Sequence, residues 1–167
     1  MYTTIEQSKK LIELGLDPNT ADLSYNNSCM KGLGYCGHFS ITITPYKEAV
    51  KQLKENIEYF SKGGYDGVIA WEVYPSWSVS ALLEIMPSEI YPENGEWKDI
   101  PYWGYAPVLR KYHETYDGED FGDSYFMQYQ SANEGDNRIL KEFDGGEQID
   151  VCYNMMVWLL ENNFIEK

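Results

Sequence analysis

The sequence predicts an α+β fold: one sheet of mostly antiparallel strands with about four helices packed on it. Three observations carry that expectation. Phe39–Thr44 alternates strictly between apolar and hydroxyl side chains, the period of a half-buried strand. Tyr46, Ala49, Val50, Leu53, Ile57 and Phe60 recur at helical spacing. So does the stretch from Gln148 to Asn163, with Ile149, Cys152, Tyr153, Met156, Leu159, Leu160 and Trp158 expected to face inward. A chain of 167 residues without a long Pro/Gly/Ser linker has the size of one domain, so residues 1–167 are read as a single α+β domain.

The remaining elements follow in chain order. Thr3-x-x-Glu6 and Thr4-x-x-Gln7 both have capping-box spacing ahead of Ile5, Leu11, Ile12 and Leu14, and Gly15 with Asp17-Pro18 ends this first helix. Residues 19–38 are polar and without period, and read as a loop. Thr44-Pro45 opens the second helix as a cap followed by proline, and Gly63-Gly64 closes it. Gly67–Tyr74 then reads as a buried strand, completing a β-α-β segment. Ser76 or Ser78 starts a short helix through Val79, Leu82, Leu83 and Met86, which Pro87 stops. Strands are expected near Ile90, Lys98 and Tyr102, with a hairpin turn at Asn94-Gly95, and a further strand at Tyr125–Gln130.

Charge gives the strongest functional constraint. Thirteen basic against 27 acidic residues leave −14, and Arg110 and Arg138 are the only arginines. Direct binding to nucleic acid or to an anionic membrane relies on a basic stripe, and none is visible. The longest purely apolar run, Met155–Leu160, is too short to span a bilayer, and Met1–Glu6 has no secretory character, so a cytoplasmic location is expected.

Chemical motifs fail on context. Gly32-Leu33-Gly34-Tyr35-Cys36-Gly37 matches the dinucleotide fingerprint in letters, but a polar loop precedes it and a strand follows, the reverse of what phosphate binding needs. Cys29, Cys36 and His38, with His113 or Cys152 as a distant fourth ligand, lack the tight pairs of structural zinc sites, so no metal or other cofactor is expected. A thiolate–imidazole pair from Cys36 or Cys29 with His38 or His113 keeps a small-ligand or enzyme reading open, centred on the Gly32–Gly37 loop. No nucleophile elbow, P-loop or HExxH motif occurs, and the reading leans away from catalysis. Tyr116–Asp123 gathers acids without EF-hand spacing and reads as a solvated acidic loop.

That acidic run lies among aromatic residues, a composition suited to a basic protein partner, because aromatics supply contact area and carboxylates supply steering. The candidate partner-binding residues are Trp97, Trp103, Tyr105, Tyr112, Glu114, Tyr116, Asp117, Glu119, Asp120 and Asp123. Trp97, Trp103 and Tyr105 are the aromatics expected at the surface, whereas Trp71 and Trp158 are expected in the core. Mimicry of nucleic acid to inhibit a host defence enzyme is a narrower alternative, requiring carboxylates at phosphate-like spacing on one face.

Thr4–Leu11 with Gly15–Asp22, Pro75–Pro87 and Asn154–Asn162 resemble a group of small uncharacterised proteins encoded by gut anaerobic bacteria and their phages or mobile elements. Residues 31–66 are unlike that group. The resemblance implies no activity. It implies a genomic setting in which a non-enzymatic accessory role, directed at a host protein, ranks above housekeeping catalysis.

Overall fold

The computed structural model describes residues 1–27, 39–62, 72–91, 104–117, 119–133 and 135–165, with the backbone alone at 59–61, 114 and 116. These residues form an α+β fold with antiparallel strand pairing and four α-helices, but the strands make two three-stranded sheets where one was expected. The chain divides into two compact units, Tyr2–Ala81 and Leu82–Lys167 with Met1.

In the first unit, helix α1 (Ile5–Glu13) starts at a complete capping box. The Gln7 amide N–H donates to Thr4 Oγ1 at 3.2 Å, and the Thr4 amide N–H donates to Gln7 Oε1 at 2.8 Å. Gly15, at φ 103°, takes the left-handed turn that ends the helix. The residues beyond it are not all loop: Leu23–Asn27 forms strand β1, the middle of the sheet. Its partners are β2 (Ser40–Thr42) and β3 (Glu72–Ser76), both antiparallel to it. Helix α2 (Tyr46–Lys62) joins β2 to β3, so the β-α-β segment is split, with β1 inserted between its two parallel strands.

Strand β2 is shorter than its alternation suggested. The chain bends at residues 43 and 44 towards Pro45, leaving Ile43 90% exposed and Phe39 at the surface, although both were expected on a buried face. Strand β3 begins at Glu72 in the described residues, and Gly63–Trp71 lie outside them.

The interior of this unit sets hydroxyls beside the buried Leu11, Leu16 and Trp77. Thr3, Ser8, Ser24 and Ser76 are buried, and each has a hydroxyl partner. Thr3 Oγ1 lies 2.9 Å from Ser8 Oγ and accepts the Trp77 amide N–H at 3.0 Å, while the Thr3 carbonyl accepts from Ser76 Oγ at 2.9 Å and Tyr25 OH at 3.0 Å. The wholly buried Trp77 donates its indole N–H to Thr20 Oγ1 at 2.9 Å. Hydroxyls satisfied in this way avoid the desolvation cost of an unpaired buried polar group.

The chain passes from the first unit to the second within helix α3 (Val79–Ile85), whose start is held by Ser78 Oγ accepting the Ala81 amide N–H at 3.2 Å. The second unit is a meander of β4 (Tyr105–Tyr116), β5 (Glu119–Ser131) and β6 (Ile139–Gly145), closed by helix α4 (Gln148–Glu161). Ile90 pairs with Tyr105, whereas the expected strands near Lys98 and Tyr102 and the Asn94-Gly95 turn lie outside the described residues. The α4 face bearing Ile149, Val151, Cys152, Met155, Met156, Leu159 and Leu160 is buried, and Met127 and Tyr129 of β5 are buried with it. Tyr153 and Trp158, expected to face inward, are only half-buried. Burial pushes the Cys152 thiol up to about 12, which makes it a packing group and not a nucleophile.

Candidate functional site

The acidic, aromatic stretch expected to be a solvated loop is an ordered β-hairpin. Strands β4 and β5 pair from Tyr105↔Ser131 to Tyr116↔Glu119, and Asp117 enters the turn at φ 51°. Strand β6 covers only the inner part of β5, ending at Tyr125↔Gly145. Residues 112–116 and 119–124 therefore continue beyond β6 as a two-stranded ribbon, roughly 20 Å long at the usual rise per residue.

A bulge organises the ribbon's outer end. Glu114 pairs with Gly122 but Thr115 pairs with Asp120, so β5 carries one extra residue there. Gly122 sits at φ 85°, a conformation glycine adopts without steric cost. Strand alternation alone would place residues 120 and 123 on opposite faces, and the extra residue turns both towards His113. His113 Nε2 lies 3.2 Å from Asp120 Oδ1, and Nδ1 lies 3.2 Å from Asp123 Oδ1. Lys111 Nζ is 2.7 Å from Asp123 Oδ2, and the Gly122 amide N–H donates to Asp120 Oδ1 at 2.7 Å. The Lys111 ammonium, with His113 behind it, holds the Asp123 carboxyl below the usual aspartate range, and Asp123 in turn raises Lys111. On the opposite face Tyr112 stacks on Phe126, with ring centroids 4.3 Å apart and planes 15° from parallel.

The ribbon thus sorts its acids into two groups. Asp120 and Asp123 are engaged by His113, Lys111 and the Gly122 amide. Asp117 and Glu119 are exposed and have no ion-pair partner among the described residues. The extra residue of the bulge is Phe121, 60% exposed.

The structure brings together only part of the set expected from sequence. Tyr105, expected at the surface, is 2% exposed because it pairs with Ile90 at the inner end of the hairpin, so it is not available to a partner. Tyr112 is half-buried against Phe126. Glu114 and Tyr116 are placed on β4 by their backbone, and Trp97 and Trp103 lie outside the described residues. Cys29, Cys36, His38 and the Gly32–Gly37 loop lie outside them too. Among the described residues no group of three or more His, Cys, Asp or Glu side chains could hold a metal ion, and no helix is long and apolar enough to cross a membrane.

Sequence reasoning placed Phe121 among the aromatics interleaved with the acids but missed Lys111, and it weighed His113 only as a distant metal ligand or a base for a cysteine. Lys111 and His113 do stand two residues apart, the spacing of one strand face. Their partners depend on the hairpin register and on the bulge. Compared with known proteins, the chain matches no family model, and no curated protein and no solved structure is significantly similar to it.

Proposed function

We propose that the protein is a non-enzymatic accessory protein that binds a basic protein partner through the outer end of the β4–β5 ribbon. One observation supports this reading above the others: the ribbon runs past β6 and presents an exposed phenylalanine close in sequence to two carboxylates, Asp117 and Glu119, that no cation of the described residues neutralises. A ribbon of this kind gives an aromatic anchor for an apolar pocket, with acids at the rim that steer a basic surface and set orientation. From Lys111 to Ser124 the sequence carries Glu114, Asp117, Glu119, Asp120 and Asp123 against Lys111 as its single lysine or arginine, so the local field is negative even after the Lys111–Asp123 pair forms. The resemblance to proteins of mobile elements favours a host protein as the partner.

Quantitative capture from host lysate tests the reading. The wild-type chain retains a partner at low salt and releases it as salt rises, because rim charges are screened beyond about 8 Å at physiological ionic strength. Phe121→Ala weakens retention at least about tenfold, the scale of a modest aromatic anchor. Asp117→Lys with Glu119→Lys abolishes the salt-sensitive component. A captured protein whose retention ignores all three substitutions, in variants with unchanged circular dichroism, overturns the assignment.

A further inference from the structure

We infer that the hollow beside α2 in the first unit is a binding site for a small molecule carrying two or more linked phosphates. The hollow has a volume of about 390 Å³, within the usual range for small-ligand sites, and is lined by Asn19, Tyr46, Lys47, Val50, Lys51 and Lys54. The assignment is independent of the ribbon and of its partner.

In a chain of net charge −14, three lysines line this single hollow. Their spacing of four and then three residues puts them on one helix face along roughly 10 Å of the axis. Lys47 and Lys54 have no ion-pair partner among the described residues, and the Lys51–Glu55 contact is a loose 4.0 Å between exposed side chains. Like charges at this spacing repel and lower helix stability.

Placement adds a second cost. Lys47 falls in the first turn of α2, beside Glu48, at the positive end of the helix dipole, where acidic side chains are the favourable choice. Glu48, Glu55 and Glu58 offset part of the repulsion among the three lysines, and an anion in the hollow would relieve the rest. Tyr46 and Val50 add an aromatic ring and an apolar wall beside the charges, suited to a phosphorylated organic molecule.

The hollow also has a direction. Glu55 and Glu58 line its C-terminal end, and Glu58 is engaged by Lys62. The anion is therefore held at the Lys47 end. Long nucleic acids remain excluded by the overall negative field, while a compact ligand inside the hollow meets the lysines within a Debye length.

Titration calorimetry of the full chain with tripolyphosphate, at about 0.15 M salt, provides the test. One saturable site is expected, with affinity lowered at least about tenfold in Lys47→Gln and in Lys54→Gln and unchanged in Lys10→Gln on α1. Both hollow substitutions are at exposed helix positions and keep a good helix former, so circular dichroism should not change. No saturable heat, or equal affinity in all three variants, overturns the site. Citrate binding as tightly as tripolyphosphate overturns the assignment to phosphate.

Discussion

Among the described residues, the two units differ in how far their interiors rely on buried hydroxyls. Residues 2–81 bury a cluster of hydroxyls beside Leu11, Leu16 and Trp77: Thr3 alone engages Ser8, Tyr25, Ser76 and Trp77 through its side chain and its backbone groups. Residues 82–167 centre on thioethers and aliphatic chains, with Met127, Met155, Met156, Leu159 and Leu160 all wholly buried. The first interior depends on direction, because each hydroxyl needs its partner at hydrogen-bond distance. The second depends on area and close packing.

Cavity formation should therefore be the larger lesion. Leu159→Ala removes a wholly buried side chain from α4 and is expected to cost about 3 kcal/mol or more, measured by urea unfolding. Hydrogen exchange should place the loss in β5, β6 and α4. Thr3→Val keeps the shape but leaves Ser8 and the Trp77 amide short of a partner, for roughly 1–3 kcal/mol, with faster exchange in β1 and β3. Equal costs for the two substitutions would break the contrast. A Thr3→Val variant as stable as wild type would show that the hydroxyl network is incidental.

The same contrast explains which parts of the fold were legible in the sequence. Helices α1, α2, α3 and α4 were readable because a capping box, Thr44-Pro45, Ser78 with Pro87, and an apolar run are local signals. Strand β1, Leu-Ser-Tyr-Asn-Asn, has almost no apolar content to reveal it. It is a strand because Ser24 and Asn26 find Thr42 across the sheet, a contact eighteen and sixteen residues away. Strand β4 was hidden because Ala106, Val108, Leu109 and Tyr112 mix apolar side chains into both faces, which erases the alternation. Strand β6 was hidden by the Gly/Asp/Asn-rich residues around it. At the candidate site, the sequence showed acids among aromatics but not their division into engaged and unengaged groups. That division follows from a single extra residue in β5, and nothing in the local spacing of Asp120, Phe121, Gly122 and Asp123 declares it.

The smallest expected effect concerns the ribbon, which shares neither interior. The Asp123 carboxyl is held below its ordinary value near 3.8 by Lys111 and His113. A depressed carboxylate favours the ordered state above its unfolded pKa, and the contribution is lost as pH falls through the lower folded value. Ordering of residues 111–124 should therefore be full at neutral pH and decline as the solution is acidified below about 4. All four side chains of the cluster are at least 44% exposed, so the change is local and leaves the core of the unit folded. Amide signals of His113 and Gly122, followed by NMR, should move through this acid window in the wild type. In Asp123→Asn the Lys111 contact loses its charge, and that movement should shrink while the α4 signals stay fixed. Identical acid titrations in the two proteins would show that the bulge alone orders the ribbon, and that the Lys111–Asp123–His113 contacts follow from its geometry without supporting it.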